Sequence, residues 1–273
     1  MKNTLKIAVL ALAATVFVAC GSDFKKTDNG LQYKFITENS DGVQLQEGDL
    51  IIGTIIMSFN DSVIDSMMTP NPLFLIGNQS RFKGDFDEGF KMMHVGDEAI
   101  LAIQADSMAA LGAQFPAEWG YKAGEGHTLR FQVKVTDVKN EAKEAEEIKN
   151  YVASNNITVE PTEEGIYIIP VEQGNGAKVE NGKKIKINYT GRFLDGKVFD
   201  TSDTTVAPEA HDALEYTVGE QSMIPGWDIV VSNLVQGDKV KAIIPSKMAY
   251  GMGSPYIPPF STLVFDMEVL SVK

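Results

Sequence analysis

Alternating apolar and polar positions mark strands along much of the chain. Lys184–Phe193 reads KIKINYTGRF, with Ile185, Ile187 and Tyr189 on one face, the period-two pattern of a half-buried strand. Leu50–Phe59 is a second long strand in the first half of the chain. Shorter strands are predicted at 31–35, 166–170 and Lys239–Ile244, with a last one at 262–272. Residues 225–235 follow helical spacing instead. Ile229, Val230, Asn233 and Leu234 fall on adjoining turns, and Gly237 stops the helix. Asp195-Gly196 signals a turn after the long second-half strand. Residues 139–156 (KNEAKEAEEIKNYVASNN) are rich in Ala, Glu and Lys, which predicts a solvent-exposed helix serving as a spacer. Many strands with one short helix predict an α+β unit, the helix lying across a largely antiparallel sheet.

The pattern occurs twice. TLRFQVKVTDVK (128–139) precedes TLVFDMEVLSVK (262–273) by 134 residues, with Thr, Leu, Phe, Val, Val and Lys at matching positions. Gly48-Asp49 and Gly182-Lys183 open the two long strands at that same separation of 134. FDEGFKMMHVGDEAILAI (86–103) parallels WDIVVSNLVQGDKVKAII (227–244) at an offset of 141, and FLIG (74–77) parallels YTVG (216–219). Two copies of one domain with unequal loops account for this better than a single large fold. The copies are placed at 30–138 and 161–273, with a helical linker at 139–160.

Composition narrows the class. The 273 residues suit two domains of ~100–150 residues each. A 44% apolar and 22% charged content is ordinary for globular chains. Acidic residues outnumber basic ones 37 to 24, which argues against a nucleic-acid partner, since phosphate contacts need clustered Lys and Arg. At the N-terminus, Lys2 and Lys6 precede the apolar run IAVLALAATVFVA (7–19). The run is shorter than the ~20 residues of a spanning helix and has the layout of an export signal. Cys20, the chain's single cysteine, follows at once. FVAC resembles a bacterial lipobox, and the resemblance implies a signal peptide at 1–19, lipidation of Cys20 and a tether at 20–29. Two or three acyl chains on one residue give stable anchoring. The expected location is the bacterial cell envelope, lipid-anchored, in the outer membrane rather than the inner. An ordinary secretory signal with an incidental cysteine is the alternative.

In the second copy the residues carry a family resemblance. INYTGRFLDGKVFDTS (187–202), YTVGEQSMIPGWD (216–228), GDKVKAIIPSKMAYG (237–251) and IPPFSTLVFDMEVL (257–270) resemble, in order, successive blocks of FKBP-type peptidyl-prolyl cis-trans isomerases. The resemblance implies two FKBP-like domains, each a curved antiparallel sheet wrapped around a short helix, with an apolar pocket for a proline ring. Pocket positions fall on Tyr189, Phe199, Leu214, Met223, Ile224, Trp227, Ile257 and Phe265, and polar ones on Asp200, the Tyr250 hydroxyl and the Ile224 N–H. Leu214 stands where the family usually has an aromatic, and the 252–256 loop is short. The implied substrates are folding or unfolded exported proteins with Xaa-Pro bonds. The chemistry needs no nucleophile, metal or cofactor, so activity is expected to be nearly flat between about pH 6 and 8. His94, His127 and His211 have no ligand spacing and read as surface or structural. Met67-Met68 and Met92-Met93 read as core filling.

The first copy does not keep this set. Ile55 stands at the Tyr189 position, Phe86 at that of Trp227 and Ala109 at that of Tyr250. It reads as a degenerate copy with little isomerase activity, serving as a spacer, a client-binding module or a homodimer contact. The rival to an enzyme is a non-catalytic chaperone or assembly-factor lipoprotein that uses both copies for binding.

Overall fold

The computed structural model describes residues 24–77, 81–220 and 222–273. The apolar run expected to be a signal segment, and Cys20, lie outside the described residues. The chain divides into two compact units, Met1–Val138 and Lys139–Lys273. No helix among the described residues is long and apolar enough to cross a membrane.

The first unit contains β1 (Lys25–Lys26), β2 (Gln32–Thr37), β3 (Leu50–Phe59), β4 (Ser62–Leu75), α1 (Phe86–Phe90), β5 (Glu98–Gln104), α2 (Ala105–Ala110) and β6 (Thr128–Lys139). The second contains α3 (Glu141–Ser154), β7 (Tyr167–Glu172), β8 (Lys184–Phe193), β9 (Val198–Thr201), β10 (Leu214–Thr217), α4 (Pro225–Ser232), β11 (Lys239–Ile244) and β12 (Leu263–Val272). The sheets run β1-β2-β5-β6-β3-β4 and β10-β8-β12-β11-β7, with β9 also paired to β8. Thus β2, β5, β6 and β3 take the same order as β7, β11, β12 and β8, and both units are α+β with one architecture. They differ at one edge. β4 runs unbroken for 14 residues, whereas residues 202–213 separate β9 from β10. The first unit in turn has the longer segment between β5 and β6, and these two differences produce the unequal offsets.

In β8 the alternation works as the sequence predicts. Ile185, Ile187 and Tyr189 are buried, with Val269 and Met267 of β12 opposite Ile187 and Tyr189. Each fully buried aliphatic side chain contributes roughly 1.5–3 kcal/mol. Trp227, Val230 and Val231 of α4 close the same core. Pro225 suits the first turn of α4, because the N–H it lacks would have no partner inside the helix. The helix stops at Ser232, short of the predicted 235. The cause is long-range: Val235 forms an isolated bridge with Lys178, and its N–H donates to Asp238 Oδ2 at 2.7 Å.

Two expectations are corrected. Met93 is buried, but Met67 and Met68 are 40% and 63% exposed on β4, an edge strand. The helix at 139–156 does form as α3, with the Asn140 side chain accepting the Lys143 N–H at 2.8 Å. It is not a solvated spacer, however, since Glu144 and Ile148 are buried and Glu144 bonds to the body of the second unit.

Candidate functional site

A cavity of about 300 Å³ opens in the second unit, lined by Tyr189, Phe199, Asp200, Ser222, Met223, Ile224, Trp227, Tyr250 and Phe265. That volume lies at the small end of ligand pockets and suits a side-chain-sized ring. Trp227 is 1% exposed and forms the floor. Tyr189 and Phe265 meet it nearly perpendicular, at centroid distances of 5.1 and 5.0 Å, and Phe199 stands edge-on to Phe265 at 5.7 Å. Edge-to-face packing of this kind fixes ring orientation beyond what area burial alone gives.

Two glycines let the walls close. A Cβ at Gly191 would fall 2.6 Å from Phe199 and 2.9 Å from Phe265, so only glycine on β8 lets both rings meet over it. A Cβ at Gly226 would lie 2.4 Å from Ile244 and 3.0 Å from the Met248 carbonyl, so glycine seats the start of α4 against β11. Tyr216 on β10 donates to Asp228 of α4 at 3.1 Å and ties that helix, with its Trp227, to the sheet. Burial first, and then the Asp228 carboxylate, pushes the Tyr216 hydroxyl up, so it remains a donor.

The polar wall is a connected group. Tyr189 donates its hydroxyl to Asp200 Oδ2 at 2.6 Å. His211 Nε2 lies 2.9 Å from Asp200 Oδ1 and 3.0 Å from the Tyr189 hydroxyl, while its Nδ1 lies 2.9 Å from the Asp212 carbonyl. A carbonyl only accepts, so Nδ1 carries a proton, and Nε2 bonds Asp200 only when it is protonated too. The Asp212 carbonyl, then Asp200, raise the His211 pKa above its ordinary 6.5. Burial, reinforced by Asp200, raises that of Tyr189, which stays protonated. The Ile224 N–H, at the N-cap of α4, makes no hydrogen bond to other described residues, which leaves it free for a ligand.

Of the residues singled out from sequence, Leu214 and Ile257 are not on the cavity wall. Leu214 is half-buried against the core, opposite Ile187, and Ile257 is buried in the core behind a turn closed by the Ser254 N–H to its carbonyl at 2.8 Å. Ser222 and His211 were missed. His94 bonds Asp97 through its own N–H, and His127 stacks on Phe59 at 5.3 Å, both as structural groups. Among the described residues no group of three or more His, Cys, Asp or Glu is placed to hold a metal ion.

In the first unit the corresponding positions carry different side chains. Met57 pairs with Asp65 as Gly191 pairs with Asp200, so a methionine side chain stands where glycine admits the two rings. Ile64 precedes Asp65 as Phe199 precedes Asp200, and Ile55 offers no phenol to the carboxylate. Phe86, at the Trp227 position, packs on Phe131 at 4.3 Å, and Phe74 and Phe90 stack beside it.

The His211 geometry predicts a pH dependence that the sequence did not. As pH rises through this raised pKa and Nε2 loses its proton, its lone pair faces Asp200, and the Tyr189 hydroxyl gains a second acceptor in Nε2. With its folded-state pKa raised, His211 contributes stability that is complete below 6.5 and is lost as pH rises through the folded value. The unfolding midpoint should therefore drop across this window in the wild type. In His211→Asn the drop should be absent, as measured by thermal denaturation at a series of pH values.

Comparison with known proteins then places the molecule. The profile of the family described as FKBP-type peptidyl-prolyl cis-trans isomerase matches residues 175–270. FKBP-type peptidyl-prolyl cis-trans isomerase FkpA of Escherichia coli is 38% identical over 135 residues, covering 49% of this chain and 47% of that protein, so the chain spans about half the length of this relative. A solved crystal structure of FkpA from Escherichia coli is 36% identical, covering 49% of this chain and 59% of that chain, with a TM-score of 0.42. Peptidyl-prolyl cis-trans isomerase Fkbp12 of Drosophila melanogaster is 38% identical over 112 residues, covering 40% of this chain and 99% of that protein. Since nearly the whole of that small isomerase is matched, and the matched profile spans the residues that wall the cavity, this chain belongs to the FKBP-type peptidyl-prolyl cis-trans isomerase family.

Proposed function

We propose that the protein is a peptidyl-prolyl cis-trans isomerase whose second unit performs the reaction. The observation that carries this reading is the cavity of about 300 Å³, floored by Trp227 and walled by edge-on rings, with Ile224 and Tyr250 among its lining residues. A prolyl amide resists rotation because resonance makes it planar, with a barrier of ~18–20 kcal/mol. Left alone it isomerises in tens to hundreds of seconds. Twisting the amide removes its charge separation, so a water-poor pocket favours the twisted form over the planar one. Trp227, Tyr189, Phe199 and Phe265 hold the proline ring, with Met223 beside it. Tyr250 and the Ile224 N–H hold the peptide carbonyls, and Asp200, fixed by Tyr189 and His211, shapes the polar wall. No covalent intermediate or proton transfer is required.

The substrates on this reading are exported proteins with Xaa-Pro bonds, met at the bacterial cell envelope by a protein anchored through lipidated Cys20. The apolar run before Cys20 supports it. Mass spectrometry of the membrane-extracted protein should find the lipid on Cys20, and Cys20→Ala should release or misprocess the chain. The first unit acts as a non-catalytic module. Its exposed β4 residues, Val63, Met67 and Met68, favour a holding role towards the same clients.

The test is an isomerase assay on a Xaa-Pro peptide with the full-length protein. Tyr250→Phe keeps the ring and deletes one hydroxyl, so kcat/KM should fall several-fold, the scale of one hydrogen bond of ~0.5–1.5 kcal/mol, with little change in unfolding midpoint. A wild type without activity would refute the proposal.

A further inference from the structure

Among the described residues of the second unit that lie outside the family-matched 175–270, one carboxylate is buried, and it takes no part in the pocket. Glu144 of α3 is 6% exposed. Its Oε1 accepts the Ser246 N–H and the Thr262 hydroxyl, each at 2.6 Å, and its Oε2 accepts the Ser246 hydroxyl at 2.6 Å. Ser246 and Thr262 are themselves buried. Carboxylates are seldom buried without such partners, and three donors satisfy both oxygens.

The positions of these donors give the contact its meaning. Ser246 follows β11 and Thr262 precedes β12, so one side chain holds both ends of the segment that carries Tyr250. The Ser246 carbonyl in turn accepts the N–H groups of Ala249 and Gly251, both at 2.8 Å, and these are the residues on either side of Tyr250. The first unit closes the same segment differently. Ala105, at the Ser246 position, donates its N–H to the His127 carbonyl at 2.8 Å, and Thr128, at the Thr262 position, donates its N–H to Asn60 at 2.9 Å. There the partners come from the segment itself and from the turn between β3 and β4. In the second unit the closing group comes from a helix before the domain proper.

We infer that Glu144 is a positioning residue for Tyr250, and that α3 is a working part of the isomerase site. The inference rests on the reading of Tyr250 as a site residue, and it is tested in the full-length protein by two measurements. Amide hydrogen exchange reports on Glu144 without reference to activity. In Glu144→Gln, exchange at Ala249 and Gly251 should accelerate about tenfold, while amides of β8 and β12 keep wild-type rates. Ser246→Ala, which keeps the N–H and removes only the hydroxyl, should give a smaller change at the same amides. In the assay, kcat/KM of Glu144→Gln should fall about three- to tenfold, the scale of one lost hydrogen bond. The loss should be largely absent when Tyr250 is already phenylalanine. Unchanged exchange at Ala249 and Gly251, or equal acceleration throughout the sheet, would overturn the inference. So would a loss of kcat/KM that is the same with and without the Tyr250 hydroxyl. Failure of the site reading looks different: Tyr250→Phe alone would then leave kcat/KM unchanged, and the exchange result would still decide whether Glu144 holds the Tyr250 turn.

Discussion

Trp227→Ala is expected to lower stability by ~3–5 kcal/mol and to remove most of the isomerase activity. The indole is 1% exposed and touches Tyr189 and Phe265 edge-on, so truncation opens a void beneath both walls at once. The void costs lost contacts as well as lost burial, because the surrounding rings are held by β8 and β12 and can collapse only in part. Catalysis should fall further than binding of an unrelated peptide segment, since the floor is what holds the ring while the amide twists. Trp227→Phe restores most of the apolar surface and should recover a large part of both losses. Urea denaturation and the peptide assay, run on each variant, check this. Near-wild-type kcat/KM in a folded Trp227→Ala protein would mean that the proline ring sits elsewhere.

Separating the units should give the second large effect. Residues 139–273 alone should retain most of the activity towards short peptides, and residues 24–138 should fold and give no measurable acceleration. The reason lies in the side chains: Met57 stands at the register position of Gly191, Phe86 replaces the indole, Ile55 has no hydroxyl, and Ala109 has no phenol. A fragment starting at residue 161, which lacks α3, should be less stable than one starting at 139, because Ser246 and Thr262 lose their buried acceptor. Circular dichroism and the assay on the three fragments decide the matter. Comparable turnover by the two units would contradict the decay of the first pocket.

The sequence by itself determined whatever depends on neighbours along the chain. Leu50–Phe59, Lys184–Phe193 and Lys239–Ile244 were legible to the residue, because a strand with one buried face must alternate. The repeat was legible because both copies bury the same pattern. Phe199, Asp200, Met223, Ile224, Trp227 and Tyr250 were legible because they sit in contiguous blocks, VFD, MIPGW and KMAYG, whose local geometry carries their direction with it. Tertiary structure alone decided the rest. His211 lies in residues 202–213, which have no counterpart beside the unbroken β4, so no pattern tied it to Asp200. Leu214 and Ile257 were apolar in the right blocks, but strand register and the turn at Ser254 set them in the core and off the wall. Glu144 is a charged residue in an Ala, Glu and Lys helix, and its composition points to water. Only the return of Ser246, 102 residues later, and of Thr262, 118 residues later, supplies the donors that make its burial stable. A periodic pattern shows which side of an element is apolar, but a buried polar group is stable only through its partners, and those come together when the whole chain has folded.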